Sequence, residues 1–99
     1  MELKIHLTPR AGADLDEIKA YLTPRDADAA ERVRRRIEQA VDTISFFPNI
    51  GRPTNIQGIC VLPVARYPYL IYHAIRSDTL TVMHIRHTSR EVPDLSELT

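Results

Sequence analysis

The chain has 99 residues, 43% of them hydrophobic, with thirteen basic and thirteen acidic side chains and a formal net charge of zero. That length holds one domain and no second core, and the apolar fraction is too high for a disordered chain. Zero net charge speaks against a surface devoted to gripping a nucleic-acid backbone, although residues 51–90 carry five arginines against one acid, Asp78.

Leu3, Ile5 and Leu7 alternate with Lys4 and His6, the period of a strand with one buried face, which leaves His6 on the solvated side. Thr8-Pro9 then reads as an N-cap with proline at the first helical position, where a missing N–H is harmless. A helix to about residue 22 places Ala11, Leu15, Ile18 and Leu22 on one stripe, with Asp14, Asp16 and Glu17 toward its N-terminal half, where the helix dipole favours them. Thr23-Pro24-Arg25-Asp26 breaks it, and Asp26 is the expected cap of a second, longer helix. In that helix Ala30, Val33, Ile37, Ala40 or Val41, and Ile44 recur at steps of three and four. Arg32, Arg34, Arg35 and Arg36 surround the stripe, and with Asp28, Glu31 and Glu38 beside them they read as a solvated face rather than a nucleic-acid patch.

Phe46, Phe47 and Pro48 end the helix, and Pro48 to Pro53 is a turn-rich connector. From Ile59 the period becomes two, with Pro63 marking an edge or a bulge because it cannot donate to a ladder. Leu70–Ile75 and Leu80–His87 are apolar at consecutive positions and read as a hairpin across Arg76-Ser77-Asp78, covered on both faces. The fold class expected is α+β: an N-terminal strand, an antiparallel helix hairpin, then a three-stranded antiparallel sheet. It forms a single domain over 1–90 with a C-terminal tail over 91–99.

Cys60 has no partner for an internal disulfide and reads as a small apolar strand residue. No apolar stretch suits a signal peptide or a membrane span, so the sequence predicts a cytoplasmic protein with no membrane segment. The four histidines, at 6, 73, 84 and 87, include one i, i+3 pair, which a strand points to opposite faces. No cysteine or carboxylate spacing completes a zinc site, no glycine-rich phosphate loop is present, and no serine-nucleophile motif occurs; neither metal nor cofactor is expected.

The chemistry-bearing residues gather at one place. A hairpin across residues 76–78 sets the start of one strand beside the end of the other, bringing Arg66, Tyr67, Arg86, His87 and Arg90 to one end of the sheet. Arginine stabilises charge on a phosphoryl transition state and histidine moves protons near neutral pH, so the cluster suits metal-free RNA cleavage. It suits docking onto an acidic protein surface equally well. A structural role stands beside both, since arginines at strand ends also pair with carboxylates such as Glu91 or Asp94.

Four segments together resemble the RelE/ParE toxin superfamily over nearly the whole chain. Leu7-Thr8-Pro9-Arg10-Ala11 through Asp14-Leu15-Asp16-Glu17-Ile18 and Tyr21 is similar to the family's first strand and helix. Ala29-Ala30 through Ile37, with Phe47-Pro48-Asn49-Ile50-Gly51-Arg52-Pro53, is similar to its second helix and exit. Arg66-Tyr67-Pro68-Tyr69-Leu70-Ile71-Tyr72 resembles the central strand, and Ile85-Arg86-His87-Thr88-Ser89-Arg90 the last one.

The resemblance implies the toxin of a type II toxin–antitoxin pair, held in a hetero-oligomeric complex by a cognate, ParD-like antitoxin, with operator DNA reached only through that antitoxin. ParE-like members poison DNA gyrase; RelE-like members cut mRNA on the ribosome. The arginine-tyrosine-proline strand and the histidine-to-arginine ending look more like ParE, and the two lysines, Lys4 and Lys19, lie away from the site, whereas the nucleases carry a lysine-rich edge. Arg66, Tyr67, Arg86, His87 and Arg90 are therefore expected to bind the target, with gyrase as that target and no firm catalytic residue. Under the nuclease alternative Arg66, His87 and Arg90 would be catalytic, and a third alternative is an inactive relic that only binds antitoxin. The antitoxin-facing residues are not legible in the sequence.

Overall fold

A computed structural model describes residues 3–89. β1 (Lys4–Leu7) leads into α1 (Pro9–Leu22) and α2 (Ala27–Phe46). There follow β2 (Arg52–Pro53), β3 (Cys60–Pro63), β4 (Tyr69–Arg76) and β5 (Thr79–His87). The expected α+β class holds, but the three-stranded antiparallel sheet does not. All five strands form one mixed sheet in the order β1-β5-β4-β3-β2. β1 lies parallel to β5, from Lys4↔Thr79 to Leu7↔Val82, and the end of the turn-rich connector pairs as β2 against β3. The tail over 91–99 lies outside the described residues.

Both helices start where side chains cap them. The Thr8 hydroxyl accepts from the Ala11 N–H at 3.1 Å, and Asp26 Oδ1 accepts from the Ala29 N–H at 3.0 Å. In α2 the stripe of Val33, Ile37, Val41 and Ile44 is buried, which settles the choice between Ala40 and Val41. It packs with Ala11 of α1 onto Ile71, Leu80, Val82 and Ile85 of the sheet. The arginines around the stripe are solvated: Glu31 pairs with Arg34 and Arg35, and Glu38 with Arg34. These hydrogen-bonded guanidinium partners, Arg34 first, hold the Glu31 carboxyl down to about 2.

The helices cover one face of the sheet. On the other, residues 54–59 fold back, held by Thr54, whose hydroxyl donates to Ile59 O at 2.8 Å. There Ile59 and Tyr72 are buried among Ile56, Val61, Leu70 and Met83. Pro63 ends β3 beyond the two residues that β2 covers. The Val64 N–H donates toward β4, to Tyr69 O, so strand alternation points the donor-less side of Pro63 at the uncovered edge.

A β-bulge sets the phase of β5. The register passes from Tyr72↔His84 to His73↔Val82, leaving Met83 as the extra residue. Leu80 and Val82 face the helices before it, and Ile85 does so after it. Without the inserted residue, alternation would turn Ile85 and His87 away from the helices.

On the helix-covered face His73 is 1% exposed, with Nδ1 3.3 Å from Ile71 O. A Cβ on Gly51 would lie 2.7 Å from His73 Cε1 and 3.1 Å from Cys60 Cβ. Gly51→Ala is therefore expected to destabilise the fold by about 1–3 kcal/mol, read as a lower urea midpoint. Burial also holds the His73 pKa below its ordinary 6.5. The native imidazole stays neutral while the unfolded one takes a proton, so stability should fall as pH drops below 6.5. The slope is at most about 1.4 kcal/mol per pH unit from this group, and urea midpoints on either side of that pH measure it.

Candidate functional site

The β4–β5 hairpin turns at residues 77–78, where Ser77 takes a φ of 52°, and at its open end Tyr69 pairs with His87 and Leu70 with Arg86. The chain entering β4 continues the ladder: Thr88 N–H donates to Pro68 O at 2.8 Å, and Val64 N–H to Tyr69 O at 2.9 Å. The turn thus formed carries Arg66 at φ 72°, a left-handed conformation that is strained for a residue with a Cβ. Arg66 is exposed and, among the described residues, has no ion pair or side-chain hydrogen bond.

Arg66, Tyr67, Arg86 and His87 do meet at one end of the sheet, but they do not share a face. His87 shares the helix face with Tyr69, whose ring meets it edge-on at 5.3 Å. Its Nδ1 accepts from the Ser89 N–H at 3.1 Å and lies 2.7 Å from Ser89 Oγ. Arg86 turns to the opposite face, is only 9% exposed, and donates from Nε to Tyr72 Oη at 3.3 Å. Arg90 lies outside the described residues. The i, i+3 pair His84 and His87 points to opposite faces, as the strand period requires.

Tyr67 and His87 stand at the rim of a groove of about 530 Å³ between the helices and this end of the sheet. Ile18, Leu22 and Val33 form much of its floor, and Tyr21, 60% exposed, stands on its lip with Arg25 stacked 3.8 Å over the ring. Such an apolar floor with a mixed rim fits side chains of a protein partner. Ile18, Leu22 and Val33 are stripe residues whose periodicity marks them as core-facing; periodicity does not reveal that the core is open at this end.

Asp14 is the functional group that pattern reading passes over. β1 stops at Leu7, so β5 beyond Val82 has a bare edge. One carboxylate oxygen of Asp14 accepts from the Ile85 N–H at 2.9 Å and from His84 Nδ1 at 2.6 Å. Arg10 Nε approaches the same ring nitrogen at 3.3 Å, and Tyr72 stacks on the imidazole at 5.8 Å. In sequence Asp14 is simply an acid early in a helix, and nothing local points to β5.

Comparison with known proteins gives a consistent picture. A family described as the ParE toxin of a type II toxin-antitoxin system, parDE, matches residues 5–92. The chain is 46% identical over 83 residues to a protein of Sinorhizobium fredii named putative toxin Y4kP, covering 82% of this chain and 86% of that one. It is 31% identical over 85 residues to toxin RelE2 of Caulobacter vibrioides, covering 84% and 92%. Among solved structures, the chromosomal ParDE TA system from P. aeruginosa contains a chain with the same fold. It superposes with a TM-score of 0.77 at 20% identity, covering 89% of this chain and 98% of that one.

The Asp14 junction can be tested by itself. Asp14→Ala should remove about 2–3 kcal/mol of stability by leaving the Ile85 N–H and the His84 ring without their acceptor. Asp14→Asn, which keeps an acceptor oxygen, should lose less than half of that, by urea denaturation of each variant.

Proposed function

The chain belongs to the ParE toxin family and is a toxin of a type II toxin–antitoxin system, and we propose that it arrests growth by poisoning DNA gyrase until a cognate antitoxin covers it. The observation that carries this reading is the division of the site residues between two faces. Arg66, Tyr67 and His87 offer an exposed cation, an aromatic ring and a donor group for contact with a large partner. An RNA-cleaving site would want a base and several cations around one phosphate. Here Arg86 is tied to Tyr72 on the far face, and the His87 Nδ1 lone pair already accepts from Ser89.

The strained Arg66 supports the same reading. A left-handed backbone is easiest for glycine, and an arginine held there at the tip of an exposed turn is a feature of sites rather than of cores. The groove beneath Tyr67 supports the second half of the proposal. Its apolar floor suits an amphipathic antitoxin helix, which would bury Ile18, Leu22 and Val33 while approaching the toxic end of the sheet. The complex would then be hetero-oligomeric, with operator DNA touched through the antitoxin. No helix among the described residues is long and apolar enough to cross a membrane.

Cleavage of mRNA is the second reading, favoured by the similarity to a protein named toxin RelE2 and by Arg66 and His87 lying at the same end of the sheet. In that case Arg66, His87 and Arg90 would act on the phosphate and the ribose hydroxyl.

Purified protein is expected to inhibit gyrase supercoiling and trap cleaved DNA, with antitoxin reversing both. Full supercoiling alongside ribosome-dependent mRNA cleavage would transfer the function to the second reading. Arg66→Gly separates contact from fold: it relieves a backbone strain of about 1 kcal/mol, so thermal stability should hold or rise. Its inhibition of gyrase should nevertheless fall several-fold, in a graded way.

A further inference from the structure

Cys60 and His73 are directly opposed across β3 and β4, on the face that the helices cover. Opposed residues in an antiparallel ladder have Cβ atoms about 5 Å apart, so the two side chains leave the sheet as neighbours. Gly51 lies over both. A Cβ built there would sit 2.8 Å from His73 Nε2 and 3.1 Å from Cys60 Cβ, so the imidazole edge and the thiol-bearing carbon converge beside one bare Cα. His73 Nδ1 faces the Ile71 carbonyl oxygen, which can only accept; the ring proton therefore sits on Nδ1 and leaves a lone pair on Nε2. That nitrogen is buried and, among the described residues, has no hydrogen-bond partner.

A histidine whose Nδ1–H is spent on a backbone carbonyl while Nε2 keeps a free lone pair is set up as a metal ligand, because that second contact fixes both tautomer and ring orientation. We propose that Cys60 Sγ and His73 Nε2 form a two-coordinate site for a soft monovalent cation of the copper(I) class. Thiolate sulfur selects such cations, and imidazole suits copper. Zinc is a poor fit, since it asks for four ligands and no cluster of three or more His, Cys, Asp or Glu side chains is found among the described residues. Two ligands satisfy a linear d10 ion. On binding, the thiol proton leaves to solvent, and thiolate and cation cancel, so the buried unit carries no net charge. Cys60 is half-buried, which gives the ion a way in.

The test uses silver(I), a redox-inert member of the same class, titrated calorimetrically into the full chain in chloride-free buffer. One ion per chain is expected, with the ¹⁵N resonance of His73 Nε2 moving and those of His6, His84 and His87 staying. Cys60→Ser should abolish binding, and His73→Gln should weaken it at least about tenfold. Absence of binding overturns the proposal, as does one-to-one binding that leaves the His73 nitrogen unmoved, which would mean a thiol acting alone. If His73→Gln does not fold, the nitrogen resonance of the unsubstituted protein decides the matter.

Discussion

The bulge at Met83 is the constraint on which the rest of the structure depends. Its inserted residue shifts the alternation of β5 so that Ile85 joins Leu80 and Val82 against the helices. The same kink is where the first layer is fastened to the second. Thr8 N–H donates to Val82 O, and the Thr8 hydroxyl donates to Met83 O at 3.0 Å while accepting from the first turn of α1. Asp14, less than two turns further on, then closes the edge that β1 leaves bare. A strand end, a helix cap and part of a sheet edge thereby find hydrogen-bond partners within one short stretch.

That phase shift also sorts the chemistry. His87 comes to the groove with Tyr69, while His84 and Arg86 go to the far face and are absorbed by Asp14 and Tyr72. On the far face Asp14, His84, Tyr72 and Arg86 are linked in one connected set, while Arg66 stays exposed at the sheet end. A guanidinium spent on internal packing cannot also be presented at the surface, and of the two arginines described at this end Arg66 is the exposed one.

Much of the fold was legible in the chain. Thr8 and Asp26 announced the helix starts, the three-and-four spacing of Val33, Ile37, Val41 and Ile44 marked the buried stripe, and residues 76–78 announced the hairpin. What escaped was whatever depends on distant partners. β1 reads as a strand with one buried face, yet its Ile5 and Leu7 are 43% and 42% exposed, and its parallel place beside β5 is set by Thr8 and Met83, 75 residues apart. β2 is two residues long and contains a proline, so it has no period to detect. For the site, the gathering of Arg66, Tyr67, Arg86 and His87 at one end followed from the hairpin alone. The assignment of each to a face did not, because a single bulge residue reverses it and bulges carry no reliable sequence mark.

The parallel seat of β1 has a consequence for synthesis. Of the described strands β1 is the first to leave the ribosome, yet the strand it pairs with is the last of them to appear. The helix pair and the β4–β5 hairpin are local and can form as they emerge, whereas the sheet cannot close until residue 87 is free of the exit tunnel. A nascent chain thus carries an unseated β1 and an unfastened first helix until β5 has emerged. The groove and the end of the sheet that flank each other in the finished molecule come into being together, once β5 is free.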